Sequence, residues 1–306
     1  MAAVSLAPAR RPAPARPAPA GATPIPLALA AVDGAALAAH HVPAHGRARG
    51  AAVIAPAMGV PQRFYAPLAG WLAELGLHVV TFDYRGTGAS QVGRLRDLDV
   101  DIVGWARLDA TAALRAALDL APGLPVTWIG HSLGGQIVPW VPDHRELARV
   151  ITIAAGSGYW RENAAPLRRK VWLFWWALVP ALTPLFGYFP GRRLGMVGDL
   201  PRGVIRQWRR WCMDPDYAVG AEGPEVAELY ARVKAPITAL SFTDDEMMSE
   251  RNTARLHAAY VGAPVTHARI APADLGLPAI GHFGCLRPAL RAPLWERHLR
   301  PALALG

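Results

Sequence analysis

The stretch Val126-Thr127-Trp128-Ile129-Gly130-His131-Ser132-Leu133-Gly134-Gly135-Gln136 constrains this 306-residue chain more than any other. An apolar run of strand character meets Gly130. Ser132 then stands between His131 and Leu133, and Gly134 and Gly135 open a helical segment. This is the G-x-S-x-G pattern in a strand-turn-helix setting. Glycines two positions either side of the serine suit a sharp turn in which strand and helix pass too close for a Cβ. Such a turn holds Ser132 out at the edge of a sheet.

The flanking chain alternates strand and helix patterns. Residues 25–32 and 35–42 read as two strands joined at Asp33-Gly34. Residues 51–55 are unbroken apolar sequence, as in a strand buried on both faces. Phe64, Leu68, Trp71, Leu72 and Leu75 recur at helical spacing up to Gly76. A strand over 77–82 delivers the loop Asp83-Tyr84-Arg85-Gly86-Thr87-Gly88-Ala89-Ser90, and a helix over 102–120 precedes the central strand. Strands at 150–154, 237–242 and 265–270, a helix at 252–260 and a closing helix at 289–299 complete the pattern. The expected fold class is α/β, a doubly wound and mostly parallel sheet with its site at the carboxyl edge.

Composition narrows the function. The net charge of +9 suggests nucleic acid until it is partitioned: residues 156–216 hold ten basic and four acidic side chains, while residues 50–155 and 217–306 are close to neutral. A uniformly basic nucleic-acid face is therefore excluded. Cys212 and Cys285 make no disulfide framework and no metal-ligand spacing with histidine, so no cofactor or metal is expected and a reducing, cytoplasmic compartment is the default. Residues 1–24 are an Ala/Pro run with Arg10, Arg11 and Arg16 and no signal-type apolar block, which reads as a disordered tail.

A serine hydroxyl needs an imidazole to take its proton, and the imidazole needs an acid to orient it. On this kind of sheet the order is serine, acid, histidine. Ser132 is followed by Asp244-Asp245 at the end of the strand over 237–242, then by His282 in the loop Ile280-Gly281-His282-Phe283-Gly284. All three fall on loops at one sheet edge. Adjacent aspartates point in different directions, so one of them orients His282; Asp245 is preferred, Asp244 is the alternative acid and Glu246 a third. His131 reads as a support of the turn. The oxyanion hole needs two backbone N–H donors, expected from Leu133, after the nucleophile, and Met58, in the loop after the third strand.

These motifs resemble the α/β-hydrolase superfamily over nearly all of residues 25–306. The closest likeness is to the monoglyceride-lipase-like or serine-aminopeptidase-like serine hydrolases with a cap inserted after the sixth strand. The resemblance implies a core of residues 25–155 and 217–306 and a Trp/Arg-rich helical cap over 156–216. It departs at Pro56-Ala57, where the family often has His-Gly. Dehalogenase and epoxide-hydrolase members place an aspartate where Ser132 stands.

Residues 171–190 carry no charge, which raises a membrane span of about 20 apolar residues. Pro180, Pro184 and Pro190 argue against it and limit the helix to about 171–179. Trp172, Trp175, Trp176 and Val179 form one helical stripe, expected to line a substrate pocket; Trp208 and Trp211 against Arg202, Arg206, Arg209 and Arg210 form a second helix with the division of an interfacial helix, a route to peripheral membrane contact. The expected activity is hydrolysis of a small-molecule carboxylic ester or thioester with an apolar acyl part through an acyl-Ser132 intermediate. Another acyl-transfer or carbon-carbon bond hydrolase on the same residues, and a non-catalytic binding protein of the same fold, are the alternatives. The sequence does not set an oligomeric state.

Overall fold

Alternate residues of each central strand face opposite sides of the sheet, so an apolar strand with helices on both faces buries everything. In the computed structural model, which describes residues 23–196 and 198–305, strand β3 (Gly50–Ala55) does this: Ala51, Val53 and Ala55 enter one core and Ala52 and Ile54 the other. The expected tail over residues 1–24 lies almost wholly outside the described residues.

The remaining strands are β1 (Ile25–Ala30), β2 (Ala36–Val42), β4 (Leu77–Phe82), β5 (Val126–His131), β6 (Arg149–Ile153), the short pair β7 (Tyr188–Phe189) and β8 (Leu200–Pro201), β9 (Ile237–Phe242) and β10 (Val265–Ile270). Among the described residues they form one eight-stranded sheet in the order β1-β2-β4-β3-β5-β6-β9-β10 and the separate pair β7-β8. β2 runs antiparallel to both of its neighbours, β1 and β4, and the pairings from β4 across to β10 are parallel. Helix Ala66–Glu74 and the helical C-terminus pack on one face, and helix Thr111–Leu120 on the other. The parallel order sends the carboxyl ends of β3, β5, β6 and β9 to one edge.

Between β6 and β9 the chain leaves the sheet. Helix Arg202–Met213 is fastened to the core: Trp211 stacks on Trp140 at 5.1 Å, and Gln207 Oε1 accepts the Ile102 and Val103 amides.

The helix before it is longer than its prolines predict. It continues from Ala165 to Phe186 through Pro180 and Pro184. A π-type turn over Phe174–Leu178 makes this feasible: the Val179 amide reaches back to the Phe174 carbonyl, and the Trp175 carbonyl, which Pro180 cannot serve, accepts from Arg209 Nε at 2.7 Å. The rod ends at Gly187, whose φ of 78° is left-handed. No helix among the described residues is long and apolar enough to cross a membrane.

Candidate active site

β5 runs straight into the turn that carries Ser132. Ser132 has φ 51° and ψ −112°, a region that non-glycine residues rarely occupy. Its amide donates to the Ile153 carbonyl at 2.9 Å, which fastens the turn to β6. The glycines are required by contact: a Cβ on Gly134 would lie 2.1 Å from the Ala55 carbonyl oxygen, and one on Gly130 would meet the Gly134 carbonyl. Helix Leu133–Gln136 then begins directly after Ser132, so the Leu133 amide stands at its open N-terminus.

The loop after β9 carries three acids in succession, and each holds a different part of the loop after β10. Asp245 Oδ2 lies 2.9 Å from His282 Nδ1, and its Oδ1 accepts the Met247 and Met248 amides at 2.8 Å each. Asp244 Oδ2 instead accepts the Ile280 and Gly281 amides at 2.7 and 3.1 Å. Glu246 Oε2 takes the His282 amide at 2.9 Å. Of the adjacent pair, then, Asp245 is brought to the imidazole and Asp244 to the backbone that carries it. A carboxylate only accepts, so Nδ1 is the protonated ring nitrogen of neutral His282 and Nε2 is its base.

Ala57, Met58, Ser132, Leu133, Gln136, Trp208, Met247, Met248, His282 and Phe283 line one cavity of about 20 Å³, room for about one water. Ser132 and His282 share this space without a direct hydrogen bond between them. His282 is almost wholly buried, and Ser132 is 8% exposed.

A second histidine braces the first. His131 Nε2 lies 3.0 Å from the His282 carbonyl oxygen, which can only accept, so Nε2 carries the proton and Nδ1 is bare. The Tyr65 hydroxyl donates to that Nδ1 at 2.9 Å and accepts the Ala57 amide at 2.8 Å. Burial holds His131 neutral by pushing its pKa down to about 3, and burial pushes the Tyr65 phenol well above its ordinary value. One chain of hydrogen bonds therefore runs from the backbone beside Met58 to the backbone of His282. It commits the Ala57 amide, while no hydrogen bond among the described residues occupies the Met58 or Leu133 amide. Tyr84 adds support, its hydroxyl 3.4 Å from the Pro56 carbonyl and its ring stacked on Trp105.

The expected aromatic pocket is corrected by the structure. Trp172 and Trp176 are about half exposed, and Trp175 is buried against Phe174 and Trp208; none of the three lines the Ser132 cavity. The π-type turn rotates the stripe so that Trp175 and Val179 face inward while Trp172 and Trp176 turn to solvent. The aromatic residue that reaches the site from this part of the chain is Trp208. Tyr65 was missed in the sequence although a tyrosine inside an apolar helical pattern signals a hydroxyl needing a buried partner.

Comparison with known proteins bears on the fold that carries this geometry. A family profile described as serine aminopeptidase, S33, matches residues 46–195. A protein of Variovorax paradoxus named as carbamate hydrolase RutD is 33% identical over 135 residues, 42% of this chain and 46% of that protein, so the match spans about half of the relative. A thermostable carboxyl esterase from Bacillus coagulans superposes with a TM-score of 0.60 at 16% identity, over 92% of this chain and 99% of that one. The esterase Pf2001 of Pyrococcus furiosus does so with 0.58 at 13% identity, over 93% and 91%. Identities this low speak for the fold alone. A parallel sheet of this strand order, ending its fifth strand in a strained serine and shared with these structures over nine-tenths of the chain, gives the protein the α/β-hydrolase fold.

Proposed function

We propose that the protein is a serine hydrolase that cleaves a carboxylic ester or thioester with an apolar acyl part through an acyl-Ser132 intermediate. The observation that carries this reading is the convergence of Ser132, His282 held on Asp245, Met58 and Leu133 on one cavity. In the mechanism the Ser132 Oγ attacks the carbonyl carbon as His282 Nε2 takes its proton. Asp245 keeps Nδ1–H directed away from the serine and stabilises the imidazolium. The carbonyl electrons move to oxygen, where the Met58 and Leu133 N–H groups receive them. His282 then protonates the departing oxygen or sulfur, and water activated by the same Nε2 releases the acid. The Ser132–His282 hydrogen bond closes when substrate fills the cavity. Apolar lining from Met58, Met247, Met248, Trp208 and Phe283 supports an apolar acyl part.

A second reading, a small carbonyl substrate of carbamate type on the same residues, is supported by the size of the cavity and by the name of the Variovorax paradoxus relative. Burst kinetics with p-nitrophenyl esters of graded chain length, beside a carbamate, separate the two: rates rising with chain length favour the first, and rates falling beyond acetyl favour the second. Labelling by a fluorophosphonate probe is expected in the wild type and absent in Ser132→Ala. Equal turnover by both proteins ends either reading.

A further inference from the structure

The rod over residues 165–186 has two unlike sides. Val171, Phe174, Trp175, Val179 and Thr183 are buried in the fold. On the other side Trp172, Leu173, Trp176 and Leu185 are 51, 46, 46 and 75% exposed, and Ala177 and Pro180 continue the same strip. No charged residue occurs from Val171 to Gly191. One turn before Trp172 and Leu173, on their side of the helix, stand Arg168 and Arg169, with Lys170 beside them; none of the three forms an ion pair among the described residues. Arg192 and Arg193 are exposed beyond the far end.

We infer that this strip is a docking surface for a lipid bilayer with anionic headgroups. A contiguous exposed apolar patch marks an interaction site, and the charges choose the partner. Both ends of the strip are basic, so a second copy of the chain would set cations against cations in either orientation. Phosphate headgroups accept both ends, and indoles belong at their level. The uncharged part, 16 residues from 171 to 186, is about 24 Å long at 1.5 Å per residue, short of a span, and its inner side is occupied by the protein. The rod therefore lies in the membrane plane. Trp175, on its inner side, meets Trp208 at 5.1 Å, and Trp208 walls the Ser132 cavity. Docking places the site one aromatic contact from the lipid, so a lipid-borne acyl ester is the substrate class; this last step alone rests on the hydrolase reading.

The test is co-sedimentation with vesicles of phosphatidylcholine, with and without phosphatidylglycerol, using Ser132→Ala so that no lipid is consumed. Binding to the anionic vesicles is expected, with loss at high salt. Trp172→Ala/Trp176→Ala should weaken it at least tenfold, and Arg168→Glu/Arg169→Glu about fivefold per cation lost, at about 1 kcal/mol each. Both pairs are exposed, and a melting curve checks that the variants fold. No sedimentation with either vesicle, or variants that bind like the parent, overturns the proposal. A dimer in light scattering that Trp172→Ala/Trp176→Ala splits overturns it in favour of self-association. Failure of the hydrolase reading would appear separately, as an unlabelled wild type whose vesicle binding is intact.

Discussion

Replacing Tyr65 by Phe deletes one oxygen and leaves the volume of the side chain almost unchanged. That oxygen accepts the Ala57 amide at 2.8 Å and donates to His131 Nδ1 at 2.9 Å, and both rings are 1% exposed, so neither orphaned group reaches bulk water. A buried polar group without a partner costs about 1–3 kcal/mol, and with the phenol's own desolvation relieved the pair should cost about 2–4 kcal/mol. A melting temperature lower by about 3–6 °C follows for a chain of this size. The kinetic effect follows from position, because Ala57 immediately precedes Met58. Removing an oxyanion donor outright costs about 10²–10³ in kcat, and a loosened loop loses part of that, so kcat should fall about 10–100-fold. KM should change little, since the lost interaction belongs to the transition state. The assay is steady-state turnover of p-nitrophenyl acetate, normalised to the burst amplitude so that unfolded protein is not counted, beside a urea titration. A variant that loses the stability but keeps kcat within about twofold would refute the reasoning: Tyr65 would then brace the core without setting the Met58 amide.

Four further outcomes are expected. Asp245→Asn should lower kcat by about 10⁴ by admitting the wrong imidazole tautomer. Asp244→Asn keeps an oxygen for the Ile280 and Gly281 amides and should cost far less; steady-state kinetics on both variants check the contrast, and equal losses would contradict the assignment. Gly134→Ala drives a Cβ to 2.1 Å from the Ala55 carbonyl and should abolish soluble folded protein, whereas Gly70→Ala, with nothing within 4 Å in helix Ala66–Glu74, should stabilise by about 0.5–1 kcal/mol in a urea titration. His131 and His257 are held neutral by burial, with pKa values pushed down to about 3 and about 4. The unfolded chain therefore binds more protons below about pH 6.5. Their stabilisation is full above that pH and falls by about 1.4 kcal/mol per unit for each histidine as the pH drops through 6 towards 4; urea midpoints at pH 7, 6 and 5 check this, and a flat profile contradicts it.

Two arginines, Arg85 in the loop after β4 and Arg209 in helix Arg202–Met213, illustrate how position decides what a charge is for. Arg85 pairs with Asp33 and with Asp109, which is wholly buried and whose carboxyl burial pushes up. The pair joins the first hairpin, the loop after β4 and the following helix, and takes no part in the cavity. Arg209 likewise spends its guanidinium on the Trp175 carbonyl that Pro180 leaves unserved.

Local chemistry was enough to place the sharp turn at Ser132, the mostly parallel sheet, and Ser132, the Asp244-Asp245 pair and His282 on loops at one sheet edge. Glycines that tolerate contact, apolar runs without alternation and loop residues at strand ends act over a few neighbouring positions, and Gly130, Ala51 to Ala55 and His282 carry those signals in the sequence. Tertiary structure alone decided which carboxylate meets which group. Asp244 and Asp245 are chemically identical neighbours, and only the approach of the 280–284 loop gives one the imidazole and the other two amides. The same holds for Trp172, Trp175 and Trp176. Their spacing fits one helical face, yet a π-type turn relieved by an arginine 34 residues away turns two of them to solvent and leaves Trp208 at the cavity, because a helix's rotation is fixed by what its backbone can bond to and not by the period of its side chains.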